Sequence, residues 1–444
     1  MRPIPRLALR PRAFGLAAAL LFVAASSAVR AQSLSLDRER SRTMLSNIEQ
    51  QIKKNYYDPS FHGLDIEARF KAADDKLKEA TSRGQMFGII AQAVLDLKDS
   101  HTFFVPPQRA ARTDYGWQVQ MIGDDAYVIA VKPGSDAEKK GLKPGDRVLG
   151  VDEYGLTRDN LWIFQYLYYA LRPRMGVNLE VQSPGAQQSR QLAVDSKITE
   201  GKIVTDLTGN DVWALIREEE NEEHLMRHRY AELGDDLMIW KMPAFDLEKE
   251  KVIEVMSHAR KHKALVIDLR GNGGGAEETL LQLIGCVSSK DVTVGELHRR
   301  KGNEPLVAKT HGADKAFTGQ LIVLVDSRSG SAAELFARVV QLEKLGTVVG
   351  DRTAGKVMRS KEYPFQIGAD TVVFYSASIT DADVVMTDGK SLENVGVAPD
   401  KLMLPTGADL ASGRDPVLAY AASLAGVKLD PEKAGALFPV EWKK

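Results

Sequence analysis

Four short stretches of this chain carry side chains that could do chemistry. Gly330-Ser331-Ala332-Ala333 sits where an apolar strand pattern, QLIVLVD, gives way to a helical one. A serine at such a turn can present its Oγ clear of a sheet edge. Small neighbours let a carbonyl approach, and the free N–H groups of the helix start favour developing negative charge. Ser331 with Glu334 equally spells S-x-x-E, an ordinary capping box. The second stretch, DLRGNGGG from Asp268 to Gly275, places glycines at a strand end, where they permit close backbone approach or simply a turn. It is neither GxGxxG nor a Walker A sequence, which argues against nucleotide binding. Lys356, in DRTAGKV, lies 25 residues beyond Ser331. To serve as a base it must fall about three units from a reference near 10.4, which needs burial or nearby positive charge. Most lysines are solvated surface residues with no such role. His101, in KDSHT, needs no shift from roughly 6.5 to act as a general base. The plain alternative is a hydrogen-bonded loop histidine.

Two further groups look weaker. His224 and His228 stand four apart on an expected helix, yet lack the glutamate of HExxH, so no metal site is expected. The acidic run Glu218–Glu223 lacks the EF-hand loop pattern and reads as a solvated helix face. A single Cys286 excludes an internal disulfide framework and multi-cysteine metal sites.

The elements that must position these residues follow from periodicity. Met44, Ile48 and Ile52, then Ile90, Val94 and Leu97, recur at helical spacing, interrupted by a loop in KNYYDPSFHG. From about Arg112 to Asp195 short strands dominate: AYVIAV, DRVLGVD and VNLEVQ, with an apolar helix over Asp159–Arg172. Arg217–Arg229 reads as a charged helical linker. Beyond Asp235 strands and helices alternate. LMIWKM, ALVIDLR, QLIVLVD and TVVG are continuous apolar strands, and TVVFYSASI is a further strand. Runs of this kind imply a sheet covered on both faces, so the fold class expected is multidomain α/β.

Composition narrows the function classes. With 444 residues, 59 Lys+Arg and 60 Asp+Glu, the formal net charge is −1, without the basic surplus usual for nucleic-acid binding. The first 31 residues carry five arginines and no acid, and within them, after the arginine-rich start, lies a thirteen-residue apolar run, AFGLAAALLFVAA from Ala13 to Ala25. That run is shorter than the roughly 20 residues a membrane span needs and suits the core of a secretory signal peptide ending at Ala31. The expectation is export across the inner membrane into the periplasm. Removal of those five arginines would leave 54 basic against 60 acidic residues.

Taken in order, the motifs resemble the carboxy-terminal processing (tail-specific) serine protease family. PGSDAEKKGLKPGDRVLGVD resembles a PDZ signature, and DLRGNGGG, VLVDSRSGSAAELFA, VVGDRTAGK and DGKSLENVGVAPD follow as they do in that family. The resemblance implies a signal peptide (1–31), a helical N-terminal unit (32–111) and a PDZ-like β-rich domain (112–196). A linker (197–234), an α/β protease core (235–410) and a helical tail (411–444) complete the chain. It implies Ser331 as nucleophile and Lys356 as base, with an oxyanion hole from Ala332 and either Gly273 or Gly274. Tyr115, Gly116, Trp117, Gln118 and Val119 would be the PDZ-like carboxylate loop, binding a peptide C-terminus by strand addition. KDSHT also resembles the tricorn-like branch, in which Ser100, His101 and Glu393 would join Ser331. This chain has Ser360 where the tail-specific branch has a glutamine, and GWQV in place of a G-φ-G-φ loop. Proteins or peptides are the expected substrates, with no cofactor. A peptide-binding protein on the same fold without turnover is the rival expectation.

Overall fold

The computed structural model describes residues 13–109, 111–200, 227–368 and 372–442, with side chains from residue 33 onward apart from that of residue 200. The expected linker helix and His224 therefore lie outside the described residues.

Three helices open the chain: α1 (Ala13–Asn55), α2 (Ile66–Glu79) and α3 (Arg83–Leu95). α1 runs without a break across the expected processing point at Ala31. Asp65 and Ser82 cap α2 and α3 by accepting the N–H groups of Ala68 and Gln85, each satisfying an otherwise orphaned donor. The helical stripe of Met44, Ile48, Ile52, Ile90, Val94 and Leu97 is buried in one cluster. That cluster also takes in Tyr375, Ala377 and Ile379, from a strand some 300 residues away in sequence. The helices are tied to it by β1 (Phe103–Val105), which pairs antiparallel with that strand, Phe104 opposite Ala377. The short segment after KDSHT is thus a sheet edge that fixes His101 against the distant core.

The β-rich unit follows: β2 (Ala111–Asp114), β3 (Trp117–Ile122), β4 (Asp125–Val131), α4 (Asp136–Lys139), β5 (Arg147–Val151), α5 (Leu161–Gln165), β6 (Gly176–Gln182), β7 (Arg190–Asp195) and β8 (Lys197–Glu200). β3 to β7 form an antiparallel sheet in chain order, with its own core of Val128, Val151, Tyr168, Leu179 and Val181. The expected helix over Asp159–Arg172 is α5 continued by a π-helical turn, Tyr166–Leu171.

The remaining elements are β9 (Arg229–Leu233), β10 (Leu237–Lys241), α6 (Lys249–Ala259), β11 (Ala264–Asp268), α7 (Glu277–Val287), β12 (Val292–Arg299), β13 (Gly302–Ala308), β14 (Gln320–Val325), α8 (Ala332–Leu342), β15 (Gly346–Gly350), β16 (Met358–Ile367), β17 (Val373–Met386), β18 (Lys401–Leu402), α9 (Gly407–Ala411), α10 (Pro416–Leu424) and α11 (Pro431–Leu437). Arg229 begins a strand where the charged pattern suggested helix.

The central sheet has the order β18-β15-β14-β11-β10-β9, parallel except for β9 at one edge. Its strands explain their own continuous hydrophobicity. Successive side chains point to opposite faces. Met238, Trp240, Leu265, Ile267, Leu321 and Val323 meet α6, α7 and α8 on one side. Leu237, Ile239, Ala264, Val266, Ile322 and Leu324 meet Val417, Leu418, Ala421 and Ala422 of α10 on the other. A strand buried on both faces has no position left for a polar residue. The second sheet of this half, β1-β17-β12-β13 with β16 on β17, carries the hairpin β12–β13, which the apolar pattern did not signal.

Candidate active site

Ser331 lies at the carboxyl end of β14, on the turn into α8, with φ 53° and ψ −120°. A non-glycine residue at positive φ stores strain of order 1–3 kcal/mol and persists only when its surroundings over-determine it. Here the Ser331 N–H donates to the Lys356 carbonyl at 2.8 Å and to Glu334 Oε2 at 3.1 Å. Glu334 is the larger surprise. The pattern marked it as a capping partner, but it is wholly buried and also accepts from Thr353 Oγ1 (2.5 Å), Gly355 N–H (2.8 Å) and Lys356 N–H (2.8 Å). Burial raises its carboxyl to about 7, against the pull of those donors. One carboxylate therefore ties the serine turn to the loop bearing Lys356.

The glycine loop is sewn to the same turn. Asp326 accepts from Gly271 N–H and Arg328 N–H at 2.9 Å each. Asn272, fully buried, accepts Gly274 N–H on Oδ1 (2.8 Å) and Gly330 N–H on its carbonyl (2.9 Å). A Cβ on Gly274 would sit 2.6 Å from Ser331 Cβ, so the backbone there approaches the serine as only glycine can, at φ 109°. Gly273 is exposed with open space beside it, and Ala332 begins α8, where N–H groups lack intrahelical acceptors. Neither Asn272 nor the enlarged part of Glu334 was signalled locally, since both act through partners distant in sequence.

His101 arrives from the other side. Its Nδ1 is 2.7 Å from Ser100 Oγ, and that hydroxyl donates to Glu393 Oε2 at 2.9 Å. A hydroxyl with one proton that gives it to a carboxylate can only accept at the histidine, so Nδ1 carries the proton and Nε2 is left as the basic nitrogen. Glu393 also accepts Ser100 N–H (2.7 Å) and Val357 N–H (2.8 Å), the residue after Lys356. Asp99 accepts the N–H groups of His101 and Thr102, fixing the turn. Burial, with Lys356 adding to it and Asp99 opposing, lowers His101 to about 4. Burial also lowers Lys356, while Glu334 and Glu393 oppose that fall.

The fold thus brings together Ser331, Lys356, Glu393, Ser100 and His101, along with Gly273, Gly274 and Ala332. The loop Tyr115–Val119 is placed differently. Tyr115, Trp117 and Val119 are in the core of the β-rich unit and Gln118 is half-buried. Gly116 N–H donates to Asp114 Oδ1 at 2.8 Å. Any ligand there would meet backbone rather than these side chains. β3 is instead bolted to the serine turn: Gln120 Nε2 donates to Asp326 Oδ2 at 2.7 Å, and Ser327 Oγ bonds the Met121 carbonyl.

The remaining candidates stand apart. His228 has both ring nitrogens engaged, with Asp246 (2.8 Å) and the indole N–H of Trp240 (2.9 Å). Cys286 is buried, and burial pushes its thiol up to about 11. Among the described residues no helix is long and apolar enough to cross a membrane.

Residues 237–403 match the family model described as Peptidase family S41. That segment is similar to peptidase family S41. The match places the domain among serine-type peptidases. The chain is 26% identical over 323 residues to a "Tail-specific protease" of Haemophilus influenzae, covering 68% of this chain but 43% of that one. It is 24% identical over 380 residues to a "C-terminal processing peptidase, chloroplastic" of Tetradesmus obliquus, covering 80% and 75%. The structure of mature CPAF shares the fold, with TM-score 0.62 at 15% identity over 85% of this chain and 94% of the other.

Proposed function

We propose that this protein is an exported serine endopeptidase that cleaves proteins or peptides, with Ser331 as nucleophile and His101 as general base. The observation that carries the reading is the Glu393–Ser100–His101 relay, drawn from residues 293 positions apart, with Glu393 also accepting the N–H of Val357, next to the Lys356 whose carbonyl holds the Ser331 N–H. His101 Nε2 takes the Ser331 hydroxyl proton as Oγ bonds to the peptide carbonyl carbon. The resulting oxyanion is received by the N–H of Ala332 and that of Gly273, since the Gly274 N–H is engaged by Asn272. The imidazolium returns its proton to the leaving amine as the C–N bond breaks. Water then repeats the sequence on the acyl-enzyme and frees Ser331. In this scheme Lys356 is a resident cation rather than the base. The PDZ-like unit holds the substrate chain beside the site, and residues 1–31 direct export to the periplasm.

Ser331→Ala should abolish hydrolysis of an unfolded protein substrate while circular dichroism and the unfolding midpoint stay near wild type. Undiminished hydrolysis by that variant would end the proposal. Labelling of Ser331 by a fluorophosphonate separates a peptidase from a binding protein on the same fold, because only an activated serine reacts.

A further inference from the structure

The β-rich unit supplies one wall of this centre. Arg158 reaches from its loop to the segment Asp351–Lys356, with Nη2 2.6 Å from Asp351 Oδ2 and Nη1 3.0 Å from the Arg352 carbonyl. Its Nε holds the Gly123 carbonyl of its own unit at 2.7 Å. Four residues on, in the first turn of α5, the half-buried Trp162 places its ring 4.9 Å from Lys356 Nζ. The ammonium has little else to engage. Glu334 is saturated by four donors and Glu393 by three, and among the described residues no carboxylate oxygen lies within 4.0 Å of Lys356 Nζ. An indole face is the strongest aromatic partner for a cation, and the attraction grows where water is excluded.

We propose that Trp162 is a positioning residue for catalysis: its ring fixes the Lys356 ammonium beside His101, so that the histidine stays neutral and able to accept the Ser331 proton. This rests on the function proposed above. The charged groups facing the pair are Asp99 and Lys356 toward His101, and Glu334 and Glu393 toward Lys356. Of these only Lys356 is a cation, so its displacement leaves the acids unopposed and makes His101 easier to protonate. A tryptophan that merely filled space would affect activity equally at every pH.

The test is the pH dependence of fluorophosphonate labelling at Ser331 in the full chain. Trp162→Ala should move the acid limb upward by about one pH unit, the low end of what one charge at ~4–6 Å produces. Trp162→Phe, which retains a weaker ring face and the packing, should fall between. Lys356→Met should shift the limb at least as far, and the double variant no further than Lys356→Met alone. An unmoved limb in both tryptophan variants, or shifts that add in the double variant, would overturn the role while leaving the nucleophile assignment intact. Absence of labelling at Ser331 in the unmodified protein would overturn the function itself, and the role with it.

Discussion

Two glutamates, Glu334 wholly buried and Glu393 half-buried, hold the loops around the serine, and they do different work. Glu334 accepts only from the serine turn and from the Thr353–Lys356 loop: three backbone N–H groups and one threonine hydroxyl. Glu393 accepts two backbone N–H groups and a hydroxyl that is itself bonded to His101. Burial raises the carboxyl of both. A perturbed carboxyl therefore does not by itself mark a catalytic group; what separates the two is whether the next atom along can move a proton. In the proposed mechanism the Glu334 side shapes the nucleophile, and the Glu393 side orients the base.

Substitutions should break the two sides differently. Glu334→Ala strands four neutral donors in the interior and should lower stability by ~3–5 kcal/mol, since each unsatisfied buried donor costs ~1–3 kcal/mol and the site can relax in part; denaturant unfolding would read it. Glu393→Gln keeps an acceptor for the backbone but removes the charge behind Ser100 and His101. It should lower kcat/KM by about 10²-fold, the scale of general-base catalysis, with an unfolding midpoint close to wild type. If Glu393→Gln mainly unfolds the protein and Glu334→Ala mainly silences it, the division is wrong.

Stability against pH sharpens the contrast. His101 falls from 6.5 to about 4 on folding, so the unfolded chain binds more protons between those values and stability rises with pH there. Glu334 rises from 4.5 to about 7, so the folded chain binds more protons and stability falls as pH rises through that window. Each is bounded at ~3 kcal/mol, and they oppose one another between 4.5 and 6.5. His101→Ala should leave the downward trend exposed, and Glu334→Gln the upward one. Parallel stability curves for the two variants would contradict this. The smallest expected effect is Thr353→Val. Losing the hydroxyl that bridges Glu334 and Val397 N–H should reduce stability by ~1–2 kcal/mol and leave the acid limb of activity in place.

Much of this is legible in the sequence. Ser331, His101 and Lys356 stand out by residue type and by position at strand ends, and the fold brings them together. The unbroken apolar strands foretell a sheet covered on both faces. What was illegible is what depends on separation in sequence. Ser100 and Glu393 meet across 293 residues, and no local period announces that. Glu334 looks like any helix cap until the Thr353–Lys356 loop closes over it. Trp162 reads as one more apolar residue of a helix until the docking of Arg158 turns it toward Lys356. The hairpin β12–β13 escaped because residues such as Glu296, Asn303 and Glu304 interrupt any clean alternation.

The central claim, that His101 rather than Lys356 activates Ser331, is tested most directly by mapping the fluorophosphonate adduct in three proteins at pH 8. The account predicts an adduct on Ser331 in the unmodified chain and in Lys356→Met, and none in His101→Ala. An adduct that survives in His101→Ala and vanishes in Lys356→Met would contradict it.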